Sequence, residues 1–190
     1  DTIKIGRRGS LNANITIHGK QGHIAYPHLA KNPIHQAMPA LDALCSTAWD
    51  EGNAHFPPTG FQIANCHSGT GATNVIPASI TVQANFRYNT LQSAEALQSK
   101  TEEILAEHCD HFTVDWQHSG EPFLTEPAVL VNAMQESIEG VLNIKAELST
   151  SGGTSDGRFI APLGGELIEF GPINETIHQV NECVSCSDLI

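Results

Sequence analysis

The sequence predicts an α+β fold in which two helices cover one face of a four-stranded antiparallel sheet. Two observations lead to this class. Segments with the apolar–polar alternation of half-buried strands, and segments with helical periodicity, follow in the order strand, helix, strand, strand, helix, strand. This order is the split βαβ pattern of ferredoxin-like folds, and the unit closes near Gly120. Beyond residue 121 the pattern changes and predicts an incomplete α/β piece.

The first unit contains six predicted elements. In the strand at residues 10–19 the side chains that point one way are apolar, namely Leu11, Ala13, Ile15 and Ile17, and those that point the other way are polar, namely Asn12, Asn14, Thr16 and His18. In the first helix, Asn32 is the predicted N-cap, Pro33 lies in the first turn, and Pro39 predicts a kink. We expect helices at residues 32–49 and 91–108 and further strands at residues 61–66, 80–88 and 112–116.

The second unit contains fewer elements than a domain needs. We expect helices at residues 127–141 and 156–161, strands at residues 144–148 and 166–170, and the start of a last helix at residues 185–190. Two strands in so short a stretch cannot form a complete α/β layer, so this part is expected to pack against something absent. The first residue is Asp1 rather than Met, which agrees with a piece of a longer or processed chain.

Composition and charge exclude several classes of protein. The 190 residues include 21 acidic and 9 basic side chains, a net charge of −12 that leaves little to build a nucleic-acid-binding face. No apolar run approaches the roughly 18 residues of a membrane helix. Five scattered cysteines indicate a reducing compartment, the cytoplasm. The arginines, Arg7, Arg8, Arg87 and Arg158, indicate a local anion site, and scattered surface charge explains them equally well.

Most candidate metal ligands have simpler explanations. Cys183 and Cys186 form a single CxxC pair without the further ligands that zinc needs, and they are expected at the edge of a core. Residues 108–111 are expected at the surface at a helix end. His178 is a better candidate, because it lies in a loop after a predicted strand, where α/β folds place sites.

Three loops rich in small residues could approach a ligand. Residues 19–28 hold His23 between a strand and a helix, and a flexible surface turn is as good an interpretation as a site. Residues 68–77 lack the Gly-Lys-Ser/Thr ending of a phosphate loop, which argues against nucleotide binding. Residues 149–156 could cradle an anion at a helix start. The sequence has no Gly-x-Ser-x-Gly elbow, which argues against a serine hydrolase.

Taken together, these segments resemble a known superfamily. The segments are Gly6-Arg-Arg-Gly-Ser-Leu11, Gly19-Lys-Gln-Gly-His-Ile-Ala-Tyr-Pro-His28, Thr73-Asn-Val-Ile-Pro77 with Asn85-Phe-Arg-Tyr88, and Ser151-Gly-Gly-Thr-Ser-Asp-Gly-Arg158. They are similar to the zinc-dependent amidohydrolases and exopeptidases that include the aminoacylases, and most of all to the desuccinylases of the bacterial lysine pathway. The resemblance covers the whole chain.

The resemblance implies a domain organisation and a reaction. Residues 1–8 would end a catalytic-domain segment, residues 9–121 would be a lid that forms a homodimer, and residues 122–190 would be the incomplete C-terminal part of the catalytic domain. The complete enzyme would bind two zinc ions and hydrolyse N-succinyl-L,L-2,6-diaminopimelate to succinate and L,L-diaminopimelate. Most zinc ligands and the general base would precede the lid, so this chain alone is expected to bind zinc weakly and to be inactive.

The resemblance also implies roles for individual residues. His178 matches a zinc ligand, and one histidine cannot hold zinc alone. His23 would stabilise the oxyanion in the partner subunit's site. The implied substrate-binding residues are Arg7, Tyr26, Asn74, Arg87, Gly153, Thr154 and Asn174, of which Tyr26 and Asn74 would reach the partner's site.

Two alternatives stay open. One is another enzyme of the superfamily, an acetylornithine deacetylase or a different N-acyl amino-acid hydrolase. The other is a non-catalytic module for dimerisation or ligand binding, since a ferredoxin-like unit often serves that purpose alone. Neither nucleic acid nor a membrane is an expected partner.

Overall fold

A computed structural model describes residues 2–69, 71–173 and 175–189 of the chain. The strands are β1 (Thr2–Lys4), β2 (Gly6–Arg7), β3 (Gly9–His18), β4 (Gly22–His23), β5 (Gly60–Ser68), β6 (Val75–Ile76), β7 (Ser79–Tyr88), β8 (Phe112–Gly120), β9 (Phe123–Leu124) and β10 (Glu147–Ser149). The α-helices are α1 (Pro33–Ser46), α2 (Ala94–His108), α3 (Val129–Leu142) and α4 (Gly157–Ile160). The predicted α+β class is confirmed.

The central sheet has four antiparallel strands in the order β5, β7, β3, β8. β3 and β7 pair over their whole length, from Gly9 opposite Tyr88 to His18 opposite Ser79. The first strand of the unit therefore lies between the third and the fourth, which is the arrangement that the split βαβ pattern predicts.

Both long helices of this unit cover the same face of the sheet. The apolar side chains of β3 that alternation predicts to be inside, such as Leu11 and Ile15, are fully buried. They share one core with Ala40 and Leu44 of α1 and with Leu105 of α2. Burial of this apolar face is the main source of the unit's stability.

The opposite face of the sheet is polar. Neighbouring strands present amide side chains there, and these bond to one another: Asn85 donates to Asn12 (2.8 Å), and Asn65 donates to Gln83 (3.0 Å). The alternation in the first strand predicted this division of the two faces. The open face positions the cleft described below.

Several predicted boundaries in this unit need correction. The second helix begins at Ala94 rather than residue 91, because Ser93 accepts the N–H of Ala96 at 3.2 Å and caps the helix. Leu91, expected on its apolar side, is 56% exposed. Cys109 was expected at the surface with its neighbours and is buried, because it lies under the end of α2 within the main core. The helix assignment of α1 continues through Pro39.

The rest of the chain forms a smaller arrangement. β1 pairs in parallel with β10, and a small cluster of buried residues lies beneath them: Ile3, Ile5, Val131, Ile138 and Ala146. β2 and β9 pair antiparallel, Arg7 opposite Phe123, so that the chain enters and leaves the four-stranded unit along two adjacent strands.

The predicted strand at residues 166–170 is wrong. Only Glu169 makes a bridge, to Lys4 of β1. The backbone N–H and C=O of Leu167 bond instead to the hydroxyl of Thr125, at 3.2 and 2.6 Å, so that one side chain takes the place of a partner strand. β1 also has only three residues, too few to order a longer neighbour on its free edge.

Other expectations for this part are adjusted. The strand predicted at residues 144–148 lies at Glu147–Ser149, and the last predicted helix is a 3-10 turn, Cys186–Leu189. Cys183 and Cys186 are exposed rather than at a core edge, because no buried cluster among the described residues reaches this segment. Within the described ranges no helix combines the length and apolar character needed to cross a bilayer.

Candidate functional site

A cleft of about 580 Å³ opens where the polar face of the sheet meets the loop before α4. It brings together four residues that the sequence predicted for the site: Arg87, Gly153, Thr154 and His178. The remaining lining residues come from the three neighbouring strands: Ser10, Asn12, Asn85 and Ser119. The cleft is therefore built partly from the four-stranded unit and partly from the C-terminal part.

Arg87 is the cationic group of this cleft. Its position near the end of β7 places it opposite Ser10, on the polar face. Nη1 of Arg87 donates to the hydroxyl of Thr154 at 2.9 Å. Partial burial lowers the pKa of Arg87, and the nearby charge of Arg8 lowers it further. Among the described side chains no carboxylate forms an ion pair with Arg87, so its charge is available to an anionic ligand.

Arg7 is already paired inside the chain. Its Nε and Nη2 both donate to Oε2 of Glu169, at 2.9 and 2.5 Å, and its Nη1 donates to the backbone oxygen of Ser151 at 2.8 Å. The other carboxylate oxygen of Glu169 accepts the hydroxyl of Ser155. Arg7 thus ties the segment before the sheet to the loop that carries Thr154. It lies outside the lining of the 580 Å³ cleft.

The loop at residues 149–156 is held by several polar contacts of this kind. Nζ of Lys4 donates to the hydroxyls of Ser149 (3.2 Å) and Ser151 (2.7 Å). Burial and the charge of Arg7 lower the pKa of Lys4, while Glu169 opposes that shift. Gly152 has φ of +108° and lies so close to Arg7 that a Cβ would collide with the guanidinium. The loop conformation therefore depends on a glycine at this position.

His178 stands at the rim of the cleft and is exposed. Its backbone adopts φ of +60°, an uncommon value for histidine, and its N–H donates to Oε2 of Glu182 at 3.2 Å. The described residues contain no group of three or more His, Cys, Asp or Glu side chains that could hold a metal ion. One imidazole does not meet the ligand requirement of zinc, so the described residues do not by themselves fit a zinc centre. Asn174, the predicted neighbour of His178, lies outside the described residues.

The other three predicted residues lie at the opposite end of the sheet. His23 belongs to β4, which pairs with β6 just after Asn74, and the N–H of Ile24 donates to the backbone oxygen of Asn74 at 3.0 Å. The rings of His23 and Tyr26 are 5.8 Å apart. β7 begins at Ser79, close to this group, and Arg87 is its next-to-last residue. At roughly 3.3 Å per residue, the length of the strand separates the two groups by about 25 Å.

His23 is set up as a hydrogen-bond donor. Its Nδ1 accepts the backbone N–H of Ala25 at 3.1 Å. In the neutral ring this contact requires the proton on Nε2, which has no partner among the described residues. The ring is exposed, and exposed apolar side chains lie around it: Ile24 (56%), Tyr26 (56%) and Leu29 (59%).

Sequence reasoning missed some residues of this region. Ser10, Asn12 and Asn85 line the cleft, and the polar side of the strand alternation was a signal that could have found them. Glu169 had no such signal, because its contact with Arg7 joins positions 162 residues apart in the chain. Arg158 lies beside Gly120, with its guanidinium 4.6 Å from the ring centre of Phe159.

Comparison with known proteins adds the family. Residues 5–113 match the family described as the peptidase dimerisation domain of the M20 group. Proteins named succinyl-diaminopimelate desuccinylase from Alkalilimnicola ehrlichii and Acinetobacter baumannii are 57% and 58% identical over 189 residues. Both alignments cover 100% of this chain and 50% of the relative, so the chain spans about half the length of the curated relatives it matches.

Solved structures share the fold. An aminopeptidase PepT from Bacillus cereus superposes with a TM-score of 0.81 at 22% identity, over 99% of this chain and 50% of the other. An M20 family metallo-carboxypeptidase from Sulfolobus solfataricus gives 0.82 at 15% identity, over 98% and 56%. The family match covers more than half of the chain and includes the four-stranded unit up to the start of β8. The chain therefore belongs to the peptidase dimerisation domain family.

Proposed function

We propose that this chain forms the lid and the C-terminal part of a homodimeric hydrolase that cleaves N-succinyl-L,L-diaminopimelate to succinate and L,L-diaminopimelate. The observation that carries the proposal is the cleft that joins Arg87, Thr154 and His178, in a chain that is similar along its full length to proteins named as desuccinylases. In this assignment residues 1–8 end one catalytic segment, residues 9–121 are the lid, and residues 122–190 return to the catalytic domain.

The charges of the cleft suit an anionic substrate. Arg87 is the guanidinium that would take a substrate carboxylate, and the hydroxyl of Thr154 fixes its position. Gly153 leaves room beside it, and Asn174 would complete this contact. Arg7 is less available than Arg87 for a second carboxylate, because Glu169 occupies two of its donors.

The distance between the His23 group and the Arg87 cleft supports a role for His23 in the site of a second subunit. Its Nε2–H is suited to hydrogen-bond a developing oxyanion. The length of the sheet keeps His23 about 25 Å from its own cleft, too far for direct contact. We therefore assign His23, with Tyr26 and Asn74, to the site of a second copy, which would also cover the exposed apolar side chains around it.

The edge strand β5 and the outer side of α1 are the surface proposed for the dimer. Among the described residues β5 pairs only with β7, and its residues from Ala64 to Ser68 are exposed. Met38 of α1 is 65% exposed. An unpaired strand edge beside apolar side chains is suited to pairing with a second copy.

Two zinc ions are proposed for the complete enzyme only. His178 would supply one ligand, and the other ligands and the general base would come from outside this chain. When bound, the ions would activate water for attack on the amide. The chain alone is expected to bind zinc weakly and to hydrolyse no N-succinyl substrate. We place the complete enzyme in the cytoplasm, and the free state of all five cysteines supports this.

The test uses the complete protein and two variants. His23→Ala is expected to lower kcat by roughly a hundredfold or more while KM and zinc content change little. A variant at His178 is expected to be inactive through loss of zinc. Mixed dimers of the two variants should regain activity, because one site in each keeps His178 and receives His23 from the other chain. Demonstrated subunit exchange with no return of activity would contradict the trans assignment.

A comparison of substrates tests the reaction itself. The complete protein is expected to hydrolyse N-succinyl-L,L-diaminopimelate faster than N-acetylornithine at equal concentration. The opposite preference would favour another N-acyl amino-acid hydrolase.

A non-catalytic dimerisation or ligand-binding module is the second candidate. It is favoured by the lack of a three-ligand metal group among the described residues. Light scattering with a zinc titration distinguishes the two for the complete protein. A dimer that binds no zinc tightly and cleaves neither substrate would support the module.

A further inference from the structure

The four arginines differ in how their charge is balanced. Arg7 is neutralised by Glu169, with both side chains largely buried. Arg8 and Arg87 are half-buried and make no ion pair with any described side chain. In a chain with net charge −12, two half-buried guanidinium groups without a carboxylate are unusual, since acidic partners are abundant.

Arg8 and Arg87 lie near each other along paired segments of the chain. Arg8 lies in the break between β2 and β3. The next residue, Gly9, pairs with Tyr88, and Ser10 pairs with Arg87 across the β3–β7 pair. Arg8 lines a second cleft of about 360 Å³ together with His55 and the loop up to Gly152. Gly153, the next residue, lines the first cleft, so one loop segment, residues 148–154, contributes to the lining of both clefts.

The charges of the two guanidinium groups also affect each other. The charge of Arg8 contributes to the lowered pKa of Arg87, after the larger effect of burial. Two like charges repel, and this unfavourable interaction is relieved when an anion lies between them. The loop beside Arg8 also carries three hydroxyl groups, on Ser149, Thr150 and Ser151. Of the residues that the structure describes, no acidic side chain lines the Arg8 cleft to compete for an anion.

We propose that Arg8 and Arg87 together bind one carboxylate group of the substrate, with Arg8 as a specificity-determining residue. The inference rests on the function proposed above and deepens it. Arg7 then has a different task from its neighbour: it holds the loop of Thr154 in place through Glu169 and Ser151. Bidentate contacts from planar guanidinium groups suit a carboxylate, and lysine cannot reproduce them.

The direct test is a succinate titration of this chain, followed by NMR of the arginine side-chain N–H signals. Arg8→Gln and Arg87→Gln are each expected to weaken succinate binding about tenfold or more, and the double variant little more than either single one, because both contact the same anion. Arg8→Lys should recover only part of the affinity. Lys100→Gln, which removes an equal charge on the surface of α2, should change the dissociation constant less than twofold.

The comparison of the variants distinguishes a specific carboxylate site from a general effect of removing a positive charge. Loss of affinity in Arg8→Gln beyond that in Lys100→Gln, with unchanged circular dichroism, supports the site. Equal effects in the two variants for both succinate and L,L-diaminopimelate, or no saturable binding of either ligand, overturns it. A parallel titration with L,L-diaminopimelate shows whether the carboxylate belongs to the acyl group or to the amino acid, because only one of the two ligands should then depend on Arg8.

The complete protein keeps this inference distinct from the proposed function. Arg8→Gln is expected to raise KM for the N-succinyl substrate about tenfold with kcat nearly unchanged. Full desuccinylase activity with an unchanged KM would leave the proposed function standing and refute the role of Arg8. Arg8-dependent succinate binding in a protein with no hydrolytic activity would support the carboxylate site and refute the proposed function.

Discussion

The four-stranded unit and the C-terminal part of this chain differ in how they bury apolar surface. In the first, two helices close one face of the sheet, and side chains such as Leu11, Phe86 and Leu105 are fully buried. In the second, a small cluster lies under a three-residue parallel pair. Large apolar side chains stay exposed there, among them Val141 (82%), Leu163 (82%) and Val180 (93%).

This difference shows which part can be stable by itself. A sheet with one covered face gains enough apolar burial to offset the entropy of ordering its chain. The C-terminal part buries few apolar residues. Polar contacts between residues far apart in the sequence, such as the ion pair of Arg7 with Glu169, hold it to the rest of the chain. We expect the stability of the chain to be divided accordingly, with local opening concentrated after residue 121.

The largest expected effect comes from separating the two parts. Residues 9–121 alone should unfold in urea in a single cooperative transition, because their core is complete. Residues 122–190 alone should show no such transition. Trp49 and Trp116 both lie in the first part, so their fluorescence follows it selectively, and circular dichroism follows either piece. A cooperative transition in residues 122–190, or none in residues 9–121, would break the comparison.

A core substitution in the four-stranded unit should be next in size. Phe86 is fully buried and contacts Trp49 and Phe61, with ring centres 4.7 and 4.9 Å apart. Phe86→Ala is expected to lower the free energy of unfolding by about 3–5 kcal/mol, as large-to-small changes of buried aromatics do. Val141→Ala, at an exposed site of α3, should change it by less than about 0.5 kcal/mol. Similar effects of the two changes in urea unfolding would contradict the proposed division of stability.

The same division explains how far the sequence could predict the structure. In the four-stranded unit, local patterns predicted the elements and their order, because alternation in β3 decides which face is buried. The errors there were at boundaries, such as the start of α2, which the cap at Ser93 sets. In the C-terminal part the decisive contacts are distant. The backbone of Leu167 bonds to Thr125 and prevents the predicted strand, and no local pattern encodes that contact.

The candidate site shows the same limit. His178, Thr154 and Arg87 were found from motifs, and the structure brings them to one cleft. The pairing of Arg7 with Glu169 could not be predicted, because an ion pair between remote positions depends on the fold rather than on spacing. Two adjacent arginines therefore look equivalent in sequence although only one is neutralised.

A third prediction concerns Asp50, whose carboxylate fixes a loop of the four-stranded unit. Oδ1 accepts the N–H groups of Gly52 and Thr59 and the side chain of the buried Asn89, at 2.8, 3.1 and 2.7 Å. Burial acts to raise the pKa of Asp50, but these hydrogen bonds outweigh it and hold the pKa below its usual value. A lowered pKa stabilises the fold above the unfolded value of about 4, and this contribution is lost as the pH falls through the folded value.

The substitution Asp50→Asn should therefore cost about 1–3 kcal/mol at pH 7 and flatten the loss of stability below pH about 4. Urea midpoints measured from neutral to acidic pH, with Trp49 fluorescence as the signal, provide the check. Asp115→Asn serves as the control, because that carboxylate is exposed on the open face. A parallel pH curve for Asp50→Asn and the parent protein would refute the assigned role.

The smallest expected effects come from the helix caps, which repeat the contrast between local and distant contacts. α2 is capped by its own Ser93, whereas α3 has Ala128 at the N-cap and no local side-chain cap. The N–H groups of Ala128 and Leu130 donate instead to the carboxylate of Glu166, at 3.1 and 2.8 Å. Ser93→Ala and Glu166→Ala should each cost about 1 kcal/mol, since each removes an acceptor from a helix N-terminus.

Amide hydrogen exchange separates the two cap variants by location. Ser93→Ala should speed exchange in α2 together with the rest of its unit, because that helix belongs to the large core. Glu166→Ala should speed exchange in α3 and leave α2 unchanged, since α3 packs on the small cluster. Glu136→Ala, an exposed change within α3, controls for the loss of charge. Faster exchange in α2 after Glu166→Ala would show that the two parts open together, and the comparison would then have to be abandoned.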